Sequence, residues 1–132
     1  MSSPMSEFQI ETEHADLGVG VVRVVGEADL YTAPELREAL VRVIDAGANG
    51  VLVDLSGATF IDSTTLGVLM GAVKRLRPRA GEVAIACNDP NIRKIFEITL
   101  LDRVFSIVDS PAAGVAHLRA TIGRNDLAAD DA

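Results

Sequence analysis

The sequence predicts an α/β fold: a single domain with a mostly parallel sheet, an antiparallel edge hairpin and covering helices, in the order ββαβαβαβα. Three observations predict it. Two strand-like stretches, 8–12 and 19–25, stand close together near the start, as a hairpin requires. Beyond them, near-continuous apolar runs at 51–55 and 83–87 alternate with stretches of helical periodicity. The third is composition: 48% of the 132 residues are hydrophobic but only 4% are aromatic, with no Trp. Val, Leu, Ile and Ala must therefore fill one core, as in a buried sheet covered by helices.

Each element has its own reason. Phe8, Ile10 and Thr12 alternate with polar residues, as on an edge strand. His14 to Gly18 is short and polar enough for a turn, and VGVVRVV at 19–25 is the second strand. Residues 26–31 read as a loop. Thr32-Ala33-Pro34-Glu35 then has the form of a capping box with Pro in the first helical turn. Leu36, Leu40, Val43 and Ile44 give that helix one apolar face, and Gly47 stops it. Residues 51–55 form a central strand, followed by a helix over about 63–77 whose Leu66, Leu69, Met70, Val73 and Leu76 face the sheet. Residues 83–87 are a buried strand, Asp89-Pro90 opens a helix, 104–108 are a last strand, and Ser110-Pro111 opens a final helix to about Ile122. The domain is expected over 7–122, with 1–6 and 123–132 as flexible tails.

Charge and cysteine content narrow the function. The formal net charge is −7, which argues against nucleic acid and anionic membrane as partners. The single cysteine, Cys87, permits no disulfide framework and closes an apolar run, as a small core residue does. There is no signal-peptide pattern at the start and no bilayer-length apolar run, so a cytoplasmic location is expected. Catalysis is not expected. The GxxxxGK[ST] and GxSxG patterns are absent, and Gly18-Val19-Gly20 is a lone fragment. The only histidines, His14 and His117, fall in a predicted turn and in the last helix, which suits neither a catalytic nor a metal pair. No cofactor and no metal site are expected.

The stretch Phe60-Ile61-Asp62-Ser63-Thr64-Thr65-Leu66-Gly67 carries the most information. It joins an apolar strand to a helix and places an acid and three hydroxyls where the first helical N–H groups lack partners. Ser63 or Asp62 can cap the helix, or Ser63 can carry a phosphate. At about 100° per residue, Ser63, Gly67, Gly71 and Lys74 share a stripe that is nearly bare until Lys74. Two mid-helix glycines, each about 1 kcal/mol worse than Ala, need a reason. Close packing is one, and a smooth strip for a partner is the other. Glu27 and Asp29, before the first helix, either solvate a loop or meet basic groups of a partner.

These motifs resemble the STAS domain family, and within it the stand-alone bacterial anti-sigma factor antagonists. Three places carry the resemblance: Gly26-Glu27-Ala28-Asp29 with Thr32-Ala33-Pro34-Glu35-Leu36; Val53-Asp54-Leu55-Ser56 running into Phe60-Ile61-Asp62-Ser63-Thr64; and Leu66-Gly67-Val68-Leu69 with Asn91-Ile92-Arg93-Lys94-Ile95-Phe96. The resemblance implies a protein that binds an anti-sigma factor with serine/threonine kinase activity and so frees a sigma factor. The kinase phosphorylates the hydroxyl after the Asp, and a serine phosphatase restores the active form. Here the acceptor is Ser63, with Thr64 the second choice, and Asp62, Thr64, Gly67, Gly71, Lys74, Glu27 and Asp29 join Ser63 in partner binding. The chain departs from the pattern at Thr65, where the family often has Gly. That departure leaves an alternative, a non-switching scaffold subunit of a signalling or lipid-transport complex. A monomer is the simpler expectation.

Overall fold

The protein is described by a computed structural model covering residues 8–15 and 18–131, with side chains through 124. Nine elements follow in the expected order: β1 (Gln9–Ala15), β2 (Val19–Ala28), α1 (Ala33–Asp45), β3 (Gly50–Ile61), α2 (Ser63–Leu76), β4 (Glu82–Ala86), α3 (Pro90–Ile98), β5 (Ser106–Val108) and α4 (Pro111–Asp131). The strands form one sheet in the order β1-β2-β3-β4-β5. β1 is antiparallel to β2, with Gln9 opposite Val25 and Ala15 opposite Val19, and the other pairs are parallel.

Alternation along the strands divides the interior in two. Val22, Val24, Val51, Val53, Val83 and Ile85 point to the layer made by α1, α2 and α3. Val19, Val21, Leu52, Ala84 and Ala86 point the other way, onto Leu118 of α4. Two glycines set the distance between these layers. A Cβ on Gly20 would stand 2.0 Å from Val43 Cγ1 of α1, and one on Gly114 would stand 2.5 Å from Leu52 Cδ1. A side chain at Gly20 would force Val43 to shift, and one at Gly114 would force Leu52 to shift. Arg23, on the α4 face, lies 3.2 Å from Asp54, 3.2 Å from Glu11 and 3.1 Å from Glu13, tying three strands together.

Several local expectations are corrected. β1 continues through His14 and Ala15, so His14 lies in an exposed strand; positions 16 and 17 of the expected turn fall outside the described residues. β2 and β3 run past Val25 and Leu55, still paired through Glu27–Phe60 and Ala28–Ile61 beyond two register shifts. Gly26 takes φ +97 there, a conformation other residues rarely adopt. The Thr32–Glu35 capping box does not form. Thr32 has helix-like dihedrals (φ −97, ψ −9), and its side chain turns back to accept from the Asp29 N–H at 2.8 Å. Asp29 Oδ1 in turn accepts from the N–H groups of Tyr31 (2.9 Å) and Thr32 (3.1 Å). The reciprocal pair therefore sits one turn upstream of its expected place. β5 begins at Ser106; Phe105 is buried edge-on to Phe96, with ring centroids 5.8 Å apart. α4 continues to Asp131 instead of stopping near Ile122. No Pro and no further Gly follows Gly123 to stop it. The expected tail at 1–6 lies outside the described residues.

α4 is fastened by a polar contact at the start of β4. Glu82 accepts from the Ser106 hydroxyl and pairs with His117 Nε2 at 2.6 Å. Burial pushes the Glu82 carboxyl up, but the Ser106 and His117 hydrogen bonds more than reverse this, and it lies below its ordinary value. A depressed carboxylate stabilises the fold above its unfolded-state pKa, and that stability is lost as pH falls through the folded-state value. Glu82→Gln should therefore lower stability at neutral pH by about 1.5–3 kcal/mol. It should also flatten the acid limb of stability against pH, as read by urea unfolding across the acid range.

Candidate functional site

The site is built where β3 ends and α2 begins. Asp62 is the N-cap, in extended conformation (φ −123, ψ −178). Its Oδ1 accepts from the Thr65 N–H at 2.9 Å, the bond an N-cap carboxylate makes best. Its Oδ2 accepts from the Leu30 N–H at 3.0 Å, reaching across to the loop after β2. One carboxylate thus holds the helix start and the β2–α1 loop together. Thr65 adds a second tie. It is completely buried, and its hydroxyl stands 2.7 Å from the Ala28 carbonyl and 3.0 Å from Asp62 Oδ1. The Thr65 N–H is the main cause that holds the Asp62 carboxyl below its ordinary value; burial opposes it, and the Thr65 hydroxyl and the N–H groups of Leu30 and Thr64 reinforce it.

Ser63 is the first residue of α2 and is exposed. Among the described residues its hydroxyl has no hydrogen-bond partner. Asp62 does the capping, so the Ser63 hydroxyl remains available. Thr64 is half-buried beside it. Glu27 is exposed at the end of β2. Asp29 turns inward to order its own loop, as described above. Gly67 is exposed and Gly71 half-buried. A Cβ at either position meets nothing within 4 Å. Close packing therefore explains neither glycine, and the strip they form is open. Lys74 is exposed at its far end.

The buried face of α2 is rotated from the one the periodicity gave. Leu66, Leu69 and Leu76 are buried as expected, together with Thr65, Val68 and Ala72, whereas Met70 and Val73 are only partly covered. The helix packs on α1 as well as on the sheet, and a groove opens between the two helices. Three features escaped the sequence reading. Thr65 stood out only as a departure from a pattern, not as a buried tie. Leu30 and Tyr31, 60% and 87% exposed beside the site, are large apolar side chains in a loop that otherwise reads as polar. Arg37 and Arg75 line one groove only because α1 and α2 pack side by side.

A five-stranded sheet with one antiparallel edge, three helices on one face and an acid-capped serine at the β3–α2 junction defines a STAS-type domain. The chain belongs to the STAS domain family, whose profile matches residues 9–114. It is 39% identical over 98 residues to the anti-sigma-B factor antagonist of Listeria monocytogenes, covering 74% of this chain and 81% of that one. The anti-sigma-B factor antagonist of Staphylococcus aureus is 38% identical over 78 residues, 59% of this chain and 72% of that one. In structure, the chain is similar to an anti-sigma factor antagonist from Mycobacterium paratuberculosis, with a TM-score of 0.79 and 28% identity over 90% of this chain and 99% of that one.

The ties around Asp62 are testable. Thr65→Val keeps the shape but removes the donor to the buried Ala28 carbonyl, and should destabilise the protein by about 1–3 kcal/mol in chemical denaturation, whereas Thr65→Ser should recover most of that loss. Asp62→Ala should lower stability by about 0.5–2 kcal/mol. The double substitution should fall short of the sum, because the two residues share one network.

Proposed function

We propose that this protein is an anti-sigma factor antagonist of the bacterial cytoplasm. In its unphosphorylated form it binds an anti-sigma factor that is also a serine/threonine kinase, and so frees a sigma factor. Phosphorylation of Ser63 ends that binding, and a serine phosphatase restores it. The role is regulatory and not catalytic. The observation that carries this reading is the exposed, unbonded Ser63 hydroxyl beside a cap that leaves it free. The names of the relatives support the same role. Thr65, on which the scaffold alternative rested, is buried beneath the helix start and does not cover Ser63.

The partner surface in this reading comprises Asp62, Ser63, Thr64, Gly67, Gly71 and Lys74 along α2, with Glu27 from the end of β2 and Asp29 from the loop after it. In the kinase reaction the Ser63 oxygen bonds to the γ-phosphorus of ATP, the bond to ADP breaks, and the hydroxyl proton passes to a base on the kinase. The product carries about −1.5 to −2 charges. A free helix N-terminus would attract that phosphate. Here Asp62 already occupies the Thr65 N–H, and its own negative charge adds repulsion. The phosphate is directed outward, into the space the partner would fill. Its effect falls on docking through charge, bulk and desolvation, and the fold is left intact.

Ser63→Ala should bind the anti-sigma factor whether or not ATP is present. Phosphorylated protein, or Ser63→Asp, should bind about 100-fold more weakly, a loss of about 3 kcal/mol, while folding stability changes by less than about 0.5 kcal/mol. Titration calorimetry, thermal melts and mass spectrometry of the modified residue check these outcomes. A large fall in melting temperature with binding intact would reverse the mechanism.

A further inference from the structure

We infer that the groove between α1 and α2 is a docking subsite, separate from the phosphate acceptor, that takes an apolar side chain of the anti-sigma factor flanked by carboxylates. This rests on the reading above and identifies the chemistry of the partner segment. The groove is floored by Leu40 of α1 and by Gly67 and Gly71 of α2, and its only ionisable lining groups are Arg37 and Arg75.

The two arginines, like Arg42, Arg77 and Arg103, are not among the described arginines tied to a partner within the fold. Arg23 is held by three carboxylates, Arg93 by Asp109, and Arg79 donates to the carbonyls of Ile44 and Ala48. Arg37 and Arg75 are exposed and make no ion pair among the described residues. A chain of net charge −7 thus presents an apolar floor between two uncommitted guanidinium groups. Guanidinium forks match carboxylates in geometry and charge. The floor fits an apolar side chain, because the glycines leave the space that any larger residue would fill.

The groove is continuous with the site. Gly67 lies one turn beyond Ser63, and Arg75 lies about 18 Å along the helix from it. A partner segment seated between the arginines would therefore hold the kinase against the helix whose first residue is the acceptor. Contacts of this kind set affinity and its salt dependence, independently of whether Ser63 is modified.

The test uses the full chain and the purified anti-sigma factor kinase that modifies Ser63, with affinity measured from low to high salt. Arg37→Glu and Arg75→Glu should each weaken binding by about 10-fold at low salt. Arg37→Gln and Arg75→Gln should flatten the dependence of affinity on salt. Gly71→Leu should weaken binding at least 10-fold by filling the groove, and Gly71→Ala should raise the melting temperature by about 4 °C, since the space around it is open. Thermal melts of every variant separate lost binding from lost folding. If the wild type is bound and phosphorylated while folded Arg and Gly71 variants bind as tightly and with the same salt dependence, the groove is not the subsite. If the wild type is neither bound nor phosphorylated by any anti-sigma factor kinase of its organism, the proposed function falls and the subsite with it.

Discussion

Asp62 holds two segments that no backbone hydrogen-bond ladder joins. One oxygen closes the first turn of α2 and the other takes the Leu30 N–H from the loop after β2. Thr65 repeats the connection from the helix side, through its hydroxyl to Ala28. Helix starts leave N–H groups without partners, and a buried carbonyl without a donor is destabilising. Here both needs are met by the same two side chains. The exposure of Ser63 follows: a helix capped by its predecessor does not use its first hydroxyl. The openness of Gly67 and Gly71 then continues that accessible edge along the helix.

The rest of the fold positions this junction. Three parallel crossovers place α1, α2 and α3 on one face of the sheet, so α1 and α2 lie side by side with a groove between them. Gly20 lets α1 seat closely against β2, and Gly114 does the same for α4 on the opposite face. The sheet extends beyond its apolar centre, because β2 and β3 remain paired to Ala28 and Ile61. That extension carries Ser63 to the end of the sheet and brings the β2–α1 loop within reach of Asp62.

Element order was legible because buried strands and capped helices have distinct apolar spacings. Strand ends were not: Glu27 and Gly57 look like loop residues, yet they ride on a ladder whose hydrogen bonds do not depend on their side chains, and Ser56 and Thr59 sit at its register shifts. The α1 cap was misplaced because Asp29 and Thr32 compete for the same turn, and only backbone geometry decides which donates and which accepts. Asp62 and Ser63 were visible as an acid and a hydroxyl where a strand becomes a helix. The burial of Thr65 was not, since it depends on how α2 rolls against both the sheet and α1. Arg37 and Arg75 lie on different helices, and no local pattern announces that they line one groove.

The strands lie side by side in the order in which they occur along the polypeptide. During synthesis each new strand therefore emerges to find its neighbour already made, and no strand waits for a distant segment to arrive. The junction bearing Ser63 is complete once β3 and α2 have left the ribosome and settled on β2. α4 comes last, and closes the remaining bare face through Gly114 and the Glu82–His117 contact. The end of the molecule that bears Asp62 and Ser63 is thus assembled early, and the final helix seals the back.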